Sequence, residues 1–130
     1  MAAAGYSGTP LARKLGVEPG ARVAVLGGPE NFAEELEGAV VCDRLSGRFE
    51  LIVFFATSHR ALGLALPELL AAREARTSLW IAWPKRSSGV ASDLDDNVVR
   101  QSVLATGLVD NKVCAIDSTW SALRFAARRT

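Results

Sequence analysis

Histidine, cysteine and one-sided charge are all scarce in this sequence, and each scarcity excludes a class of function. The only histidine among the 130 residues is His59, so no histidine-based metal cluster and no standard zinc site can be built. The two cysteines, Cys42 and Cys114, form no Cys-x-x-Cys pair. Each lies in an apolar run and reads as a buried, reduced thiol. The net charge of +1 provides no global field for nucleic acid or an acidic membrane. No apolar run approaches the roughly 18 residues of a transmembrane helix. The first residues carry neither a basic n-region nor an apolar h-region, so no signal peptide is expected. These absences place the chain in the cytoplasm, with neither nucleic acid nor membrane as a partner.

What is present suits one globular domain. Hydrophobic residues make up 49% of the chain and charged residues 22%, enough to build a core and too apolar for disorder. Met1 to Gly8 reads as a flexible tail, and residues 9–130 as a single α/β domain.

Along the chain, Thr9-Pro10 opens a short helix that Gly16 ends. Arg22 to Gly27 is a short apolar strand, and Asn31 to Glu37 a short helix after Gly27-Gly28-Pro29. Ala39 to Asp43 is a second extended segment. Phe49 to Ala56 is the clearest strand, apolar throughout except for Glu50. A strand buried on one face would alternate. Unbroken hydrophobicity demands cover on both faces, as in a parallel sheet with helices above and below.

Thr57 or Ser58 caps a helix running to about Arg76, with Leu62, Leu66, Leu69 and Leu70 as its apolar stripe. Pro67 is expected to break and restart it. Leu79 to Trp83 is another buried strand, and Lys85 to Ala91 a polar loop. Ser92 opens the next helix with Asp95 at capping-box spacing, and Gly107 ends it. Val109 to Ile116 and Thr119 to Ala126 form an antiparallel hairpin across Asp117-Ser118. The order specifies a Rossmann-like layered domain: a mostly parallel sheet of about five to six strands, with helices on both faces. Only Arg44 to Arg48 separate the second and third extended segments, too few for a parallel crossover. Ala39 to Asp43 is therefore expected as an antiparallel edge or an extended return.

Several stretches are similar to an uncharacterised family of small bacterial proteins, a domain-of-unknown-function family. They are Gly5 to Leu11, Pro19 to Gly27, Trp83-Pro84-Lys85, and Val113 to Phe125. That resemblance implies no activity. More distantly, the Phe49 to Ala56 strand, its helix, the Leu79 to Trp83 strand and the terminal hairpin resemble, in their order, the fold of class I S-adenosylmethionine-dependent methyltransferases. Those enzymes place an acid two residues before the first glycine of the first loop. Val25 stands there in this chain, and Pro29 and Asn31 occupy the next two glycine positions. Valine offers no carboxylate and proline no backbone donor. The same departures fail the dinucleotide fingerprint. Asp43 ends the second extended segment, where a carboxylate reaches ribose hydroxyls, although edge geometry argues against that.

Two loops are candidate ligand sites, because ligands of open α/β sheets bind beyond the strands' carboxyl ends. The first is Gly27, Gly28 and Asn31, whose amides near a helix start suit an anion. Its bland reading is a turn that needs glycine. The second is Lys85, Arg86 and Ser87, two cations and a hydroxyl for a phosphate or carboxylate. Its bland reading pairs the cations with Asp93, Asp95 or Asp96. His59, just past the strongest strand, is the one weak catalytic candidate, set against an exposed helix-capping turn. Trp120 is either sheet packing or a contact surface.

Three readings of function stay open. The favoured one is a non-catalytic module binding a small ligand or anion at the strand carboxyl ends. The second is a diverged methyltransferase-like or nucleotide-dependent enzyme. The third is a protein-interaction or oligomerisation subunit. No cofactor and no metal is expected; the partner is an unidentified small ligand or protein, with a homo-oligomer allowed.

Overall fold

The computed structural model describes residues 10–128; the expected tail, Met1 to Gly8, lies outside them. Its centre is a six-stranded sheet. The strands are β1 (Arg22–Leu26), β2 (Val40–Cys42), β3 (Leu51–Phe55), β4 (Ser78–Pro84), β5 (Leu108–Ala115) and β6 (Trp120–Ala127). In space they run β2-β1-β3-β4-β6-β5. The first four are parallel, and β6 enters antiparallel between β4 and β5. The expected mixed sheet with an antiparallel C-terminal pair is thus the observed one.

The unbroken apolar runs of β3 and β4 are buried on both faces. One face carries α2 (His59–Ala72) and α3 (Asp96–Leu104). There Leu62, Leu66 and Leu69 pack with Val99 and Val103 over Ile52, Ile81 and Phe125. The other face carries α1 (Leu11–Leu15) and the Phe32–Leu36 turn, over Val23, Val53 and Trp80. Among the described residues, no helix is long and apolar enough to cross a membrane.

The sequence expectation fails at several points. Residues 39–43 are not an antiparallel edge: β2 pairs parallel with β1, Arg22 opposite Val40. The short Arg44–Arg48 spacing suffices because β2 is only three residues long, so the return climb is short, about 10 Å. Arg22 ties that return down. Its Nε and Nη2 donate to the Arg48 and Ser46 carbonyls, both at 2.9 Å, and its guanidinium lies 5.0 Å from the Phe49 ring centre.

The Asn31–Glu37 helix shrinks to a 3-10 turn, Ala33–Glu35. Phe32 and Leu36, both buried, pin its ends between two glycine bends. Pro67 does not break α2, which runs through it for 14 residues. The buried leucine stripe holds both halves on one face, and this packing outweighs one lost hydrogen bond. Helix α1 starts at Leu11 behind Pro10; Thr9, the expected cap, lies outside the described residues. Cys114 is buried, but Cys42 is only half-buried.

A further correction concerns α3, which begins at Asp96 and not at Ser92. Ser92 Oγ accepts from the Leu94 N–H, and Asp95 is the cap, accepting from the Val98 N–H at 2.8 Å. That bond lowers the Asp95 pKa, with Arg86 Nη2 at 3.3 Å adding to it. A carboxylate lowered on folding stabilises above its unfolded pKa, and that stability is lost as pH falls through the folded value. Asp95→Ala is therefore expected to lower the melting temperature at neutral pH. The deficit should close in strong acid, as a melting series across pH would record. A deficit unchanged by acid would assign the loss to packing and not to the charged cap.

Candidate functional site

The carboxyl ends of β1 and β2 open onto a cleft of about 470 Å³ lined by Val25, Gly27, Gly28, Pro29, Glu30, Ala33, Val41, Cys42 and Asp43. Beyond β1 the chain turns through Gly27 and Gly28, with φ of 78° and 87°. Side chains rarely adopt such angles. Gly28 is also required sterically: a Cβ there would lie 2.5 Å from the Phe55 ring. That ring ends β3 and is itself boxed edge-to-face by Phe32 at 4.9 Å and Trp120 at 5.0 Å. The aromatic trio packs behind the Gly28 turn, in the core cluster on the α1 side of the sheet. Trp120, half-buried, thereby packs on Phe55.

The cleft's charge is acidic. Glu30 and Asp43 line it and no cation does. Asp43 is 92% exposed, with Arg44 Nε 3.9 Å away along the rim. These carboxylates weigh against an anion as the ligand of Gly27, Gly28 and Asn31. The helix start expected there is a three-residue turn with Glu34 and Glu35 in it, and Asn31 is not among the lining residues. Two carboxylates and open glycine amides suit hydroxyls and a positive centre.

The second candidate loop is a separate place, at the end of β4. Arg86 is engaged with Asp95 at 3.3 Å, one of the three surface pairings weighed from sequence. The Lys85 N–H donates to the Thr119 carbonyl, and its carbonyl accepts from Ser88 Oγ at 2.6 Å. Ser87 follows within a short 3-10 turn, Arg86–Ser88. His59 is exposed at the first position of α2. Its backbone N–H donates to Asp93 Oδ1 at 2.8 Å, while Ser58 Oγ accepts from the Ala61 N–H. Those bonds describe a helix start, with no serine–histidine hydrogen bond. Among the described residues, no three His, Cys, Asp or Glu side chains gather as a metal site.

Sequence reading missed Glu30 as a lining residue and Phe55 as the partner of Gly28. A 27-residue separation carries no local signal, and only strand pairing, Val25 with Val53 and Leu26 with Phe54, brings the two ends together.

No protein-family model matches the chain, and no curated protein matches it in sequence. Solved structures do share its fold. A protein from Sulfolobus solfataricus assigned as a type 11 methyltransferase superposes with a TM-score of 0.65 at 10% identity, over 92% of this chain and 90% of that one. A SAM-dependent methyltransferase from Aquifex aeolicus gives 0.61 at 12%, over 88% and 86%. Magnesium protoporphyrin IX methyltransferase from Synechocystis PCC 6803, solved with bound SAH, gives 0.58 at 8%, over 85% and 75%. The chain has a methyltransferase-like, Rossmann-like fold.

Proposed function

We propose that this protein is a diverged S-adenosylmethionine-dependent methyltransferase whose adenosyl ligand lies in the cleft between the carboxyl ends of β1 and β2. The observation that supports this best is the acidic lining of that cleft, in a fold shared with methyltransferases, one solved with bound SAH. Asp43 follows β2 at the rim, where its carboxylate accepts from ribose hydroxyls. Gly27 and Gly28 let the backbone approach the ligand closely, since no Cβ intervenes. Glu30 offers a carboxylate for the ligand's ammonium, a role that Val25 cannot fill. When bound, S-adenosylmethionine supplies an activated methyl group on a sulfonium; the residues of this chain bind and orient it.

Calorimetry and thermal unfolding with S-adenosylhomocysteine test this reading. Ligand at about 100 times its Kd stabilises by roughly 2.7 kcal/mol, a rise of several degrees. Asp43→Ala removes charge-assisted hydrogen bonds worth about 1.5–3 kcal/mol, so Kd is expected to rise roughly ten- to hundredfold. Absence of binding by both S-adenosylmethionine and S-adenosylhomocysteine would overturn the proposal.

A second reading, a module that holds such a ligand without turnover, is favoured by Val25 and Pro29, which line the cleft. Transfer of labelled methyl from S-adenosylmethionine to macromolecules of a cell extract separates the two. Label incorporation that Asp43→Ala abolishes supports the enzyme; tight binding with no incorporation supports the module.

A further inference from the structure

We infer that the outer edge of β5 is a docking strip for an extended, acidic segment of a partner protein. The strand is the last of the sheet, and its outer side has no strand beside it among the described residues. Such an edge presents unpaired N–H and C=O groups that can hydrogen-bond an added strand. Beside it runs a groove of about 410 Å³ lined by Arg13, Lys14, Lys112, Val113, Cys114 and Ala115, with no acidic residue.

Strand geometry gathers these cations on one face. Lys112 stands opposite Arg124 on β6, so both point to the α1 side. Arg124 is held there, donating from Nε to Asn111 Oδ1 at 2.8 Å with its guanidinium 6.0 Å from the Trp80 ring centre. Helix α1 adds Arg13 and Lys14 in its last turn. Arg13 and Lys112 have no ion pair among the described residues. A bulge between Asp110 and Lys112 divides the pairing of β5 with β6 into Leu108–Asp110 and Lys112–Ala115, and the second stretch is the one that the cations flank.

The occupant follows from these features. A strand edge demands a backbone, and the cations demand carboxylates at alternate positions. Nucleic acid is a poorer fit, because no aromatic lines the groove to stack a base. A second copy is also poorer. The one acid on β5, Asp110, is already bound to Arg100 Nε at 3.0 Å.

The probe is a short labelled peptide alternating glutamate with valine, followed by fluorescence anisotropy on the full chain. It should bind at least about tenfold more tightly than its lysine counterpart, and more weakly in high salt. Arg13→Glu and Lys112→Glu, both at exposed positions, should each weaken it about tenfold with the melting temperature unchanged. A glutamate peptide N-methylated at alternate residues, which cannot pair with a strand, should lose binding. Equal binding of the methylated peptide, or of the lysine peptide, would overturn the inference and leave Lys112 and the bulge as guards of an idle edge. Concentration-dependent dimerisation that blocks the peptide would overturn it in favour of a second copy.

Discussion

Gly28→Ala is expected to destabilise the fold by about 3 kcal/mol. Two costs combine. A non-glycine residue held at a left-handed φ of 87° costs roughly 1–2 kcal/mol. The new methyl would also stand 2.5 Å from the Phe55 ring, and overpacking of this kind costs about 1–3 kcal/mol. Edge-to-face contacts with Phe32 and Trp120 hold the ring against stepping aside. Melting should fall by about 10 °C. Gly20→Ala is the control, since Gly20 has a similar φ of 83° but nothing within 4 Å of its would-be Cβ. The difference between the two variants isolates the ring contact. Equal losses in urea unfolding would show that Phe55 does not lie against Gly28. The same substitution should also impair adenosyl binding, because the loop it displaces lines the cleft.

The second large effect is at Trp80, in the middle of β4 and fully buried. Its Nε1–H donates to the Leu15 carbonyl at 3.0 Å, and Arg124 lies over its ring. The indole therefore joins the central strand to the end of α1, a helix of only five residues that could not stand alone. Trp80→Ala should cost about 4 kcal/mol from lost burial and the cavity left behind. That is a large share of the roughly 5–15 kcal/mol that holds a domain together. Trp80→Phe keeps much of the volume but strands the carbonyl, and about 1–3 kcal/mol should go. In that variant, amide exchange should quicken in α1 ahead of the strands. A Trp80→Ala loss below about 1 kcal/mol would mean that α1 is not docked through this residue.

The two variants probe what the sequence shows least directly. The apolar runs of β3 and β4 are legible because a doubly covered strand has no alternation, and the terminal hairpin because Asp117-Ser118 interrupts two strand-like runs. Asp117 Oδ1 does close that turn, accepting from the Thr119 and Trp120 amides. The α2 leucines are legible from helical spacing. Helix ends are less so: Ser92 and Asp95 have similar local chemistry, and only the burial of Leu94 puts the cap after it. Parallel pairing of Val40–Cys42 with β1 was hidden by chain proximity to β3, since sequence distance says nothing of which strand lies between.

The candidate cleft divides in the same way. Gly27 and Gly28 are readable as a turn, and Asp43 as the end of an extended segment. That they share one cleft with Glu30 depends on β2 lying beside β1. The basic strip depends on Lys112 facing Arg124 across a hairpin and on α1 settling beside them, contacts separated by up to about a hundred positions. Sequence by itself determined the class of layers, the buried strands and the terminal hairpin, because period and turn chemistry are local. Tertiary structure alone decided strand order, the acidity of the cleft, the approach of Phe55 to Gly28 and the clustered cations. Those properties arise where distant segments meet, and no local pattern encodes which segments do.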